Sequence, residues 1–513
     1  MDDYKSLAFA LLAAGIATYA VRWYTDPLRA IPTVGGSSLP GLSWLAALRM
    51  LRNGKAVVEE GYRKYPERTF KLPALDRWLV VVSGRELVEE LRKRGEEELS
   101  APESLKEISQ AKYIFDPLIV TDQYHVKVLQ EKLTRRLPEL LLDIVDEVMA
   151  AVQDHIVSRE DEWTSVEVIP VMQNIIARAS NRAFVGLPLC RNEEYLRLAV
   201  GIVVDTVKTM IVLSLVPRFL KSTVARFYNK VQRNTELAVQ HFRPIIEERQ
   251  RIAAQRGERW DNKPNDLLQF ILDKAKSNND TISTIAQRVL GLNFAAIHTT
   301  STVTHMLTRL AEHPELLAPL RDEIEESIAA EGGWTSVALA NMWMLDSLLR
   351  ETLRFHGIGL LGMGRKAMKD LTLCDGTFLP RGTIVHTAAH ALHHDSAVLE
   401  RADTFDAFRY ARMRAAAVRS GSDQGTGAKL QFAATTTSPE YLPFGHGAHA
   451  CPGRYFADNV LKAVLAHLIL KYDMKLGGDG VRPADVFIAM GVLPAPQSRV
   501  LFRPRKCGGD PGQ

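Results

Sequence analysis

The feature that most constrains the fold is a long helical pattern that begins near Asp280 and ends before Pro314. It covers about 33 residues, or on the order of 50 Å at ~1.5 Å per residue. Apolar residues occupy much of its circumference, so we expect this helix to run through the interior of a large domain. Its centre, FAAIHTTST, carries small and hydroxylated residues where a buried helix usually carries bulky ones. These residues leave room for another group and offer hydrogen bonds to it.

The composition allows a core that is large enough to surround such a helix. Of the 513 residues, 46% are hydrophobic, and 64 basic residues stand against 60 acidic ones without a long run of one sign. This balance does not indicate a nucleic-acid-binding protein. The 4 cysteines are scattered along the chain. They form no disulfide framework, so we expect the folded part in a reducing compartment.

The N-terminal segment departs from this average composition. Residues 6–24 carry one charge, Arg22, and just reach the roughly 20 residues that a membrane-spanning helix needs. A cleaved signal peptide is the main alternative, although two acidic residues stand where such a peptide is basic, and a helix buried in the soluble core is a third. We interpret residues 1–25 as a retained membrane anchor, 26–50 as a proline-rich hinge and 51–513 as one large domain. The positive-inside rule places that domain in the cytosol.

Within this domain the pattern is mainly helical with a few short strands. RTFKL and RWLVVV predict two strands and GRELVEELRKR predicts a helix, and three- and four-residue apolar spacing then dominates as far as Phe355. LTLCDGTFLPRGTIV contains an Asp375-Gly376 hairpin signal. VVDTVKTMIVLSLVPRFL is an apolar run that belongs to the core or to a loop that dips into a membrane surface. The fold class is therefore mainly α with small β-sheets (α+β).

The stretch FGHGAHACPGRYFA holds Cys451 directly before a helical pattern. A plain buried thiol would not need the surrounding glycines. A cysteine that binds one axial position of a large flat cofactor would need them, because Gly445, Gly447 and Gly453 let the backbone turn sharply and lie against the macrocycle. Backbone N–H groups and the N-terminus of a helix opened by Pro452 would stabilise the thiolate.

A zinc site is the competing interpretation of the same stretch. His446, His449 and Cys451 could supply ligands, but the sequence offers no second pair at finger-like spacing. The segment HTAAHALHH adds four histidines whose spacing matches no zinc pattern, so we expect them to be surface or hydrogen-bonded residues. They are His386, His390, His393 and His394.

The cysteine stretch resembles the cysteine loop of the cytochrome P450 family, whose pattern is F-x-x-G-x-R-x-C-x-G. Phe444, Gly447, Cys451 and Gly453 match the pattern, and His449 stands where the family usually has arginine. The resemblance implies that Cys451 is the metal ligand and that the other four contact the cofactor. The family arginine hydrogen-bonds a haem propionate, and a histidine can still donate such a bond.

Three further motifs occur in the order that the family has them. ETLR and FDAFRY resemble its Glu-Arg-Arg network through Glu351, Arg354 and Arg409, which would tie together the core beneath the cysteine loop. Arg365 resembles the family arginine that leads into the strand beside the haem. The family's W-x-x-x-R pattern has no counterpart, and His125 is a weak substitute for that propionate contact.

AAIHTT resembles the oxygen-binding stretch A/G-G-x-D/E-T-T. Thr299 holds the position of the catalytic threonine and Thr300 follows it, while Ala296 replaces the usual glycine. His298 replaces the usual acid, so the family's proton path does not carry over to this chain in detail. The candidate catalytic residues are therefore Thr299, Thr300 and His298.

The resemblance implies a cytochrome P450-like fold with one large haem-thiolate catalytic domain behind a transmembrane anchor. It implies haem b with an axial cysteine thiolate, and a monooxygenase that uses O2 to oxidise a lipophilic small molecule. The motifs look most like those of fungal microsomal members that oxidise terpenoids and steroids, although a fatty acid or an aromatic polyketide stays possible. Substrate contacts would come from residues 104–122, 294–299, 360–364 and 490–493, which carry few charges.

The electrons must come from a partner, because the chain has no well-placed G-x-G-x-x-G and no flavin domain. The resemblance implies the membrane-bound NADPH–cytochrome P450 reductase, with the catalytic domain on the cytosolic face of the endoplasmic reticulum membrane. A basic surface could receive this acidic partner. Its candidate residues are Lys127, Lys132, Arg135, Arg136 and Arg454.

Two functions of other classes remain open at this point. One is a haem-thiolate isomerase or dehydratase that uses no external electrons, and the presence of Thr299 argues against it. The other is a non-catalytic, membrane-tethered helical protein with a degenerate haem site.

Overall fold

A computed structural model describes residues 13–15, 17–18, 20–21, 23–39, 42–257, 260–278, 280–297, 299–420 and 430–505. Helices dominate the described part of the chain. The first ten α-helices are α1 (Leu42–Lys64), α2 (Arg85–Lys93), α3 (Ala101–Ile108), α4 (Ala111–Ile114), α5 (Pro117–Thr121), α6 (Tyr124–Val128), α7 (Leu137–His155), α8 (Val168–Phe184), α9 (Glu193–Leu215) and α10 (Lys221–Tyr228). The next ten are α11 (Val231–Arg256), α12 (Leu267–Asn278), α13 (Ile282–Ile297), α14 (Thr300–Glu312), α15 (Leu317–Ala330), α16 (Ser336–Asn341), α17 (Trp343–Phe355), α18 (Ala389–His393), α19 (Arg409–Arg419) and α20 (Arg454–Lys471).

In the described residues, the strands are short and lie in four small sheets. They are β1 (Thr69–Pro73), β2 (Trp78–Val82), β3 (Leu99–Ser100), β4 (Thr164–Glu167), β5 (Gly362–Ala367), β6 (Leu371–Thr372), β7 (Phe378–Leu379), β8 (Ile384–Thr387), β9 (Tyr472–Leu476), β10 (Val486–Ile488), β11 (Gly491–Leu493) and β12 (Arg499–Pro504). The largest sheet has the order β1-β2-β8-β5-β3, a three-stranded sheet has the order β4-β12-β9, and β6-β7 and β10-β11 are separate pairs. The mainly α fold with small sheets is confirmed.

Local sequence signals account for several of these elements. The two strands, the following helix α2 and the Asp375-Gly376 hairpin lie where the sequence predicts them. Gly376 has φ +84°, which a glycine adopts without steric strain, and the turn lets β6 pair antiparallel with β7.

The predicted hinge at 26–50 is partly helical. Its first part is fixed to the domain, because the Val34 amide donates to the Lys71 carbonyl at 3.0 Å and the Lys71 amide donates to the Pro32 carbonyl at 2.8 Å. Helix α1 begins at Leu42, inside the predicted hinge. Most of the predicted anchor lies outside the described residues, and those of 13–25 that are described are helical.

The long helix predicted from Asp280 to Pro314 is wrong as a single element. Helix α13 ends at Ile297 and α14 begins at Thr300. The Thr299 hydroxyl donates to the Ala296 carbonyl at 2.7 Å and the Thr300 hydroxyl to the Ile297 carbonyl at 2.7 Å. Such bonds can compete with the regular backbone ladder, and at the break the Thr299 amide donates to the Ala296 carbonyl, three residues earlier, at 3.2 Å.

The main core surrounds α13 and α14 with helices α7, α8, α17 and α20. Ile144, Ile175, Val289, Leu348 and Val464, one from each of five different helices, are completely buried in it. Each such side chain contributes roughly 1.5–3 kcal/mol by leaving water. The interior position that the sequence predicts for residues 282–312 is therefore correct despite the break.

One helix of the described part, α9, has the length and composition to cross a membrane. This assignment rests on length and composition only, and the core helices of soluble domains have the same length and composition. Helix α9 packs one face against α8, α11 and α13, while Val207, Ile211 and Leu215 are exposed, so only part of the apolar run belongs to the core.

Candidate functional site

The loop before α20 closes tightly beneath Cys451. The Cys451 amide donates to the Phe444 carbonyl at 2.7 Å, and the Ala450 amide donates to the Gly447 carbonyl at 3.0 Å. Gly445 and Gly447 have φ of +69° and +80°, in the left-handed region that favours glycine. Pro452 and Gly453 form a turn, so α20 begins at Arg454 and not, as predicted, at Pro452.

The Cys451 side chain has exposed surface although protein atoms enclose its position. Burial raises the pKa of the thiol, and the backbone N–H groups of Gly453 and Arg454 together with the Arg454 charge oppose that rise. Accessible surface on an enclosed thiol means that Cys451 faces an internal cleft. The thiolate form has two amide donors there, and a cation bound to sulfur would favour it further.

A buried cation, Arg365, lies in the same region. Its side chain is 3% exposed, its Nη1 donates to the Gly364 carbonyl at 3.0 Å, and its Nε has no hydrogen-bond partner among the described residues. Burial lowers the pKa of this guanidinium against the opposing charge of Glu96. An incompletely paired buried arginine is suited to binding an anionic group.

His449 belongs to the same electrostatic cluster. Its Nε2 lies 3.6 Å from the Glu96 carboxylate. Burial lowers the pKa of His449, and the Arg365 charge lowers it further while Glu96 acts in the opposite direction. The structure therefore brings together the two residues for which the resemblance implies propionate contacts.

Glu351, Arg354 and Arg409 form one buried network. Arg354 donates to both Glu351 oxygens at 2.7 and 2.8 Å, and Arg409 Nε lies 3.3 Å from Glu351 Oε1. The remaining arginine donors bind backbone carbonyls between His393 and Thr404. The network ties α17 to the segment that precedes α19.

The junction of α13 and α14 has accessible surface inside an otherwise buried helix. Ala295 is exposed, and Phe294, Ala296 and Thr299 are partly exposed, whereas the neighbouring Asn293 is completely buried. These residues give the junction an accessible face, and α14 packs against α20, the helix that follows Cys451. Thr300 is buried, and His298 lies outside the described residues.

The remaining histidines of the sequence analysis serve packing. His386, His390 and His393 are buried, and the His393 Nε2 accepts from the Leu442 amide at 3.0 Å. His125 faces Arg288, with 3.1 Å between its Nδ1 and the guanidinium. Because an arginine only donates, His125 Nδ1 accepts from Arg288 and the proton of the neutral ring lies on Nε2.

Sequence patterns missed two residues that shape the cysteine loop. Arg92 of α2 packs so closely over Gly447 that a Cβ on that glycine would lie 2.4 Å from Arg92 Cγ. Glu96 supplies the carboxylate between Arg365 and His449. Neither residue belongs to a motif, and only the docking of α2 against the turn at Gly447–His449 brings them to the site.

Comparison with known proteins identifies the class that this fold and loop define. The cytochrome P450 family model matches residues 39–502. The chain belongs to the cytochrome P450 family and is a cytochrome P450 monooxygenase.

Individual relatives agree with this assignment. The chain is 52% identical to cytochrome P450 monooxygenase CYP512U6 of Ganoderma lucidum, over 98% of this chain and 97% of the relative. It is 30% identical to ent-kaurene oxidase of Gibberella intermedia, over 98% of this chain and 94% of that enzyme. The retinoic acid-bound structure of cyanobacterial CYP120A1 has the same fold, with a TM-score of 0.67 and 21% identity over 93% of this chain and all of that one.

Members of this family bind haem through a cysteine thiolate. The site described here fits that group. Its accessible thiol has amide donors for the charged form, and its buried, incompletely paired arginine suits an anionic propionate. O2 and a redox partner complete the requirements of a monooxygenase.

Proposed function

We propose that this monooxygenase oxidises a bulky lipophilic terpenoid or steroid, with electrons from a separate NADPH–cytochrome P450 reductase. The observation that carries the proposal is the accessible face at Phe294, Ala295 and Ala296, which lies on the buried helix α13 and has no charged or strongly polar group. Burial of apolar ligand surface against such a face is the main source of affinity for a lipophilic molecule.

Cys451 is the proposed iron ligand. Phe444, Gly447 and Gly453 would shape the loop so that the thiolate reaches the metal while the backbone lies flat against the porphyrin. Arg365 would bind one propionate as a charged donor, and His449 would donate to a propionate where most relatives use arginine. The Glu96 charge acts on both side chains and the Arg365 charge acts on His449, so the two donors lie in one neighbourhood, which supports this pairing.

Thr299, Thr300 and His298 are the proposed proton-handling residues. Thiolate-bound haem supplies the activation of O2 and the oxidation of an unactivated C–H bond. The Thr299 hydroxyl donates to the Ala296 carbonyl at 2.7 Å and keeps its own lone pairs to accept from a water molecule. Thr299 can therefore hold or pass on a proton at Oγ1.

The terpenoid preference rests on the relatives and on the pocket face together. One relative is named for its action on ent-kaurene, a polycyclic hydrocarbon, and it aligns with nearly this whole chain. A rigid polycyclic substrate needs shape complementarity and few polar contacts, which small residues such as Ala295 and Ala296 allow.

A membrane surface is the proposed source of this substrate, with residues 1–25 as the anchor. Phe219 and Phe227 are 81% and 84% exposed, and Trp44 and Leu45 of α1 are exposed as well. The ion pair between Lys221 and Asp76, at 3.1 Å, fixes α10 beside the β1–β2 hairpin against which α1 packs. Exposed apolar residues on neighbouring elements suit insertion into the lipid interface.

The reductase is proposed to dock over the cysteine loop. Lys127, Lys132 and Arg135 are exposed on the helical segment 124–155, whose Leu129 lies against Gly453. A basic surface next to the thiolate attracts an acidic partner and shortens the path for the electron.

The first experiment tests ligation and chemistry separately. The full chain should show the carbon monoxide shift of the Soret band that thiolate ligation gives, and Cys451→Ala should lose it. Cys374→Ala, which removes the other exposed cysteine of the described residues, should keep it. A Cys451→Ala variant with an unchanged spectrum would refute the assigned ligand.

The second experiment uses the full chain, reductase, NADPH, isotopically labelled O2 and a panel of terpenoids and steroids. Products that carry one labelled oxygen support the proposal. Turnover without NADPH would favour an isomerase or dehydratase, and a protein without a Soret band would favour a non-catalytic role. Oxidation of fatty acids alone would reject the terpenoid or steroid preference.

A further inference from the structure

A buried polar cluster joins three separate parts of the chain. His305 and Arg309 lie on α14, His356 directly follows α17, and Arg482 and Asp485 precede β10. The side chains of both histidines are 1% exposed. Asp485 contacts His356 and Arg482 at short range, with 2.5 Å from its Oδ2 to His356 Nδ1 and 2.6 Å from its Oδ1 to Arg482 Nη2.

The arginines determine the protonation of the two histidines. An arginine only donates, so His356 Nε2 accepts from Arg309 Nε at 3.2 Å, and the proton of His356 lies on Nδ1 and points at Asp485. By the same argument His305 Nδ1 accepts from Arg482 at 3.2 Å. Both rings are neutral, so the charge on Asp485 is balanced by Arg482.

A metal ion does not fit this cluster, although His305, His356 and Asp485 are close enough to be considered. The two imidazole rings stack with centroids 4.2 Å apart and an interplanar angle of 4°, so their nitrogen lone pairs run parallel and do not converge. The Arg482 guanidinium also contacts both His305 and Asp485, and it is the cation of the cluster. The hydrogen bonds and ion pairs of the cluster therefore link three chain segments in the interior of the protein.

The resemblance implies substrate contacts from residues 360–364 and 490–493, which follow His356 and Asp485 in the chain, and we call these two segments the substrate wall. Asp485 directly precedes the β10–β11 hairpin, and His356 lies two residues before Ile358. Further along, the Leu360 amide donates to the Met490 carbonyl at 2.8 Å and the Val492 amide donates to the Ile358 carbonyl at 3.2 Å. The cluster and these backbone bonds hold the hairpin and residues 358–360 in one register, immediately before β5 and its Arg365.

We propose that Asp485 is a positioning residue that sets the shape of the substrate wall by holding His356 and Arg482. This inference rests on the proposed function, because it requires a bulky apolar ligand that touches the wall. Asp485 acts through the hairpin and the segment 358–360 and contacts neither haem nor substrate. Loss of its charge should loosen the wall and leave the cysteine loop intact.

The test compares two iron-binding probes in the haem-loaded full chain. Imidazole is small enough to contact little beyond the iron, whereas 1-tritylimidazole also fills the space against the pocket walls. We expect Asp485→Asn to lower the affinity for 1-tritylimidazole by about ten-fold. A modest displacement of a contact surface produces a change of this size. Imidazole should change by less than about two-fold, and the Soret band and its carbon monoxide shift should be retained.

A matched control separates positioning from general destabilisation. Asp266→Asn breaks another buried aspartate–arginine pair, in which Arg249 donates to both carboxylate oxygens at 2.6 and 2.7 Å. It should lower the unfolding temperature and leave the ratio of the two affinities unchanged. If Asp485→Asn does not load haem, Arg482→Gln is measured in the same way.

The outcomes are decisive in each direction. The proposal is supported if the ratio of the affinities for 1-tritylimidazole and imidazole changes in Asp485→Asn or Arg482→Gln and stays at the wild-type value in Asp266→Asn. An unchanged ratio, an equal loss for both probes, or failure of both variants to load haem overturns it. A wild-type protein without thiolate-ligated haem would instead contradict the proposed function, so the two failures are distinguishable.

Discussion

At the scale of single residues, the glycines of the cysteine loop are constrained to different degrees. Gly445 and Gly447 both have a left-handed conformation, but a Cβ on Gly445 would meet nothing closer than 3.7 Å. On Gly447 it would lie 2.4 Å from Arg92 Cγ, near the base of a side chain that Glu89 holds in an ion pair. Gly447 therefore combines a conformational requirement with a steric one.

We predict that Gly447→Ala lowers stability by more than conformational strain alone. Strain in the left-handed region costs about 1–2 kcal/mol, and displacement of Arg92 adds to it. The checks are the unfolding temperature and the fraction of protein that retains haem. Gly376→Ala is the matched control, since Gly376 has φ +84° with open space around it.

Arg92→Ala in the Gly447→Ala background should restore part of the lost stability, because it removes the Arg92 atoms that clash with the new Cβ. Equal effects of Gly447→Ala and Gly376→Ala would contradict the steric part of this argument.

The residue scale also shows where sequence reasoning ends. The loop around Cys451 is local in sequence, so its pattern could be read directly, and the structure places His449 and Arg365 in one electrostatic cluster. Glu96 and Arg92 reach that cluster from a different element through docking of α2. No spacing rule connects residues whose proximity depends on tertiary packing, so they could not be predicted.

At the scale of elements, the break between α13 and α14 has a physical reason that periodicity does not register. Apolar spacing continues on both sides of the break, so the pattern predicts one helix. At the break, the Thr299 and Thr300 hydroxyls bond to carbonyls three residues earlier, and the Thr299 amide donates to the Ala296 carbonyl. The strands and hairpins were predictable because their signals, alternation and turn residues, are local.

The Glu351 network is predicted to be the least replaceable link between elements. Glu351→Gln removes the negative charge that pairs with two buried arginines. We therefore expect a loss of about 3–5 kcal/mol in the free energy of unfolding and poor haem retention. Glu139→Gln is the control, because it breaks an exposed pair with Arg136 at 2.9 Å and should change stability by about 1 kcal/mol or less. Denaturant unfolding of both variants provides the comparison, and equal losses would contradict a buried role for Glu351.

The exposed basic face of segment 124–155 leads to a prediction about electron delivery. Reversal of Lys132 and Arg135 to glutamate should slow reduction by the reductase at low salt, because it weakens steering toward the loop of Cys451. The difference from wild type should shrink as ionic strength rises. Reversal of Lys93, an exposed lysine of α2, is the control, and an equal effect there would reject a localised docking surface.

At the scale of the whole molecule, the interior holds many neutral histidines. Burial is the largest cause that lowers their pKa, to about 4 for His125, His356, His386 and His467, to about 3 for His393 and to about 2 for His390. Each binds a proton more readily in the unfolded chain, where the pKa is about 6.5. The stability that they support is complete above that pH and declines as the pH falls toward 4.

The last prediction isolates one of these histidines. His467 of α20 is 8% exposed, and its Nε2 has no hydrogen-bond partner in the described part of the chain. His467→Leu removes a group that must be protonated on unfolding, so the variant should lose less stability than wild type between pH 7 and pH 4, by up to about 3 kcal/mol. Urea unfolding at a series of pH values measures the difference. Parallel curves for wild type and His467→Leu would contradict the role of buried neutral histidine in acid sensitivity.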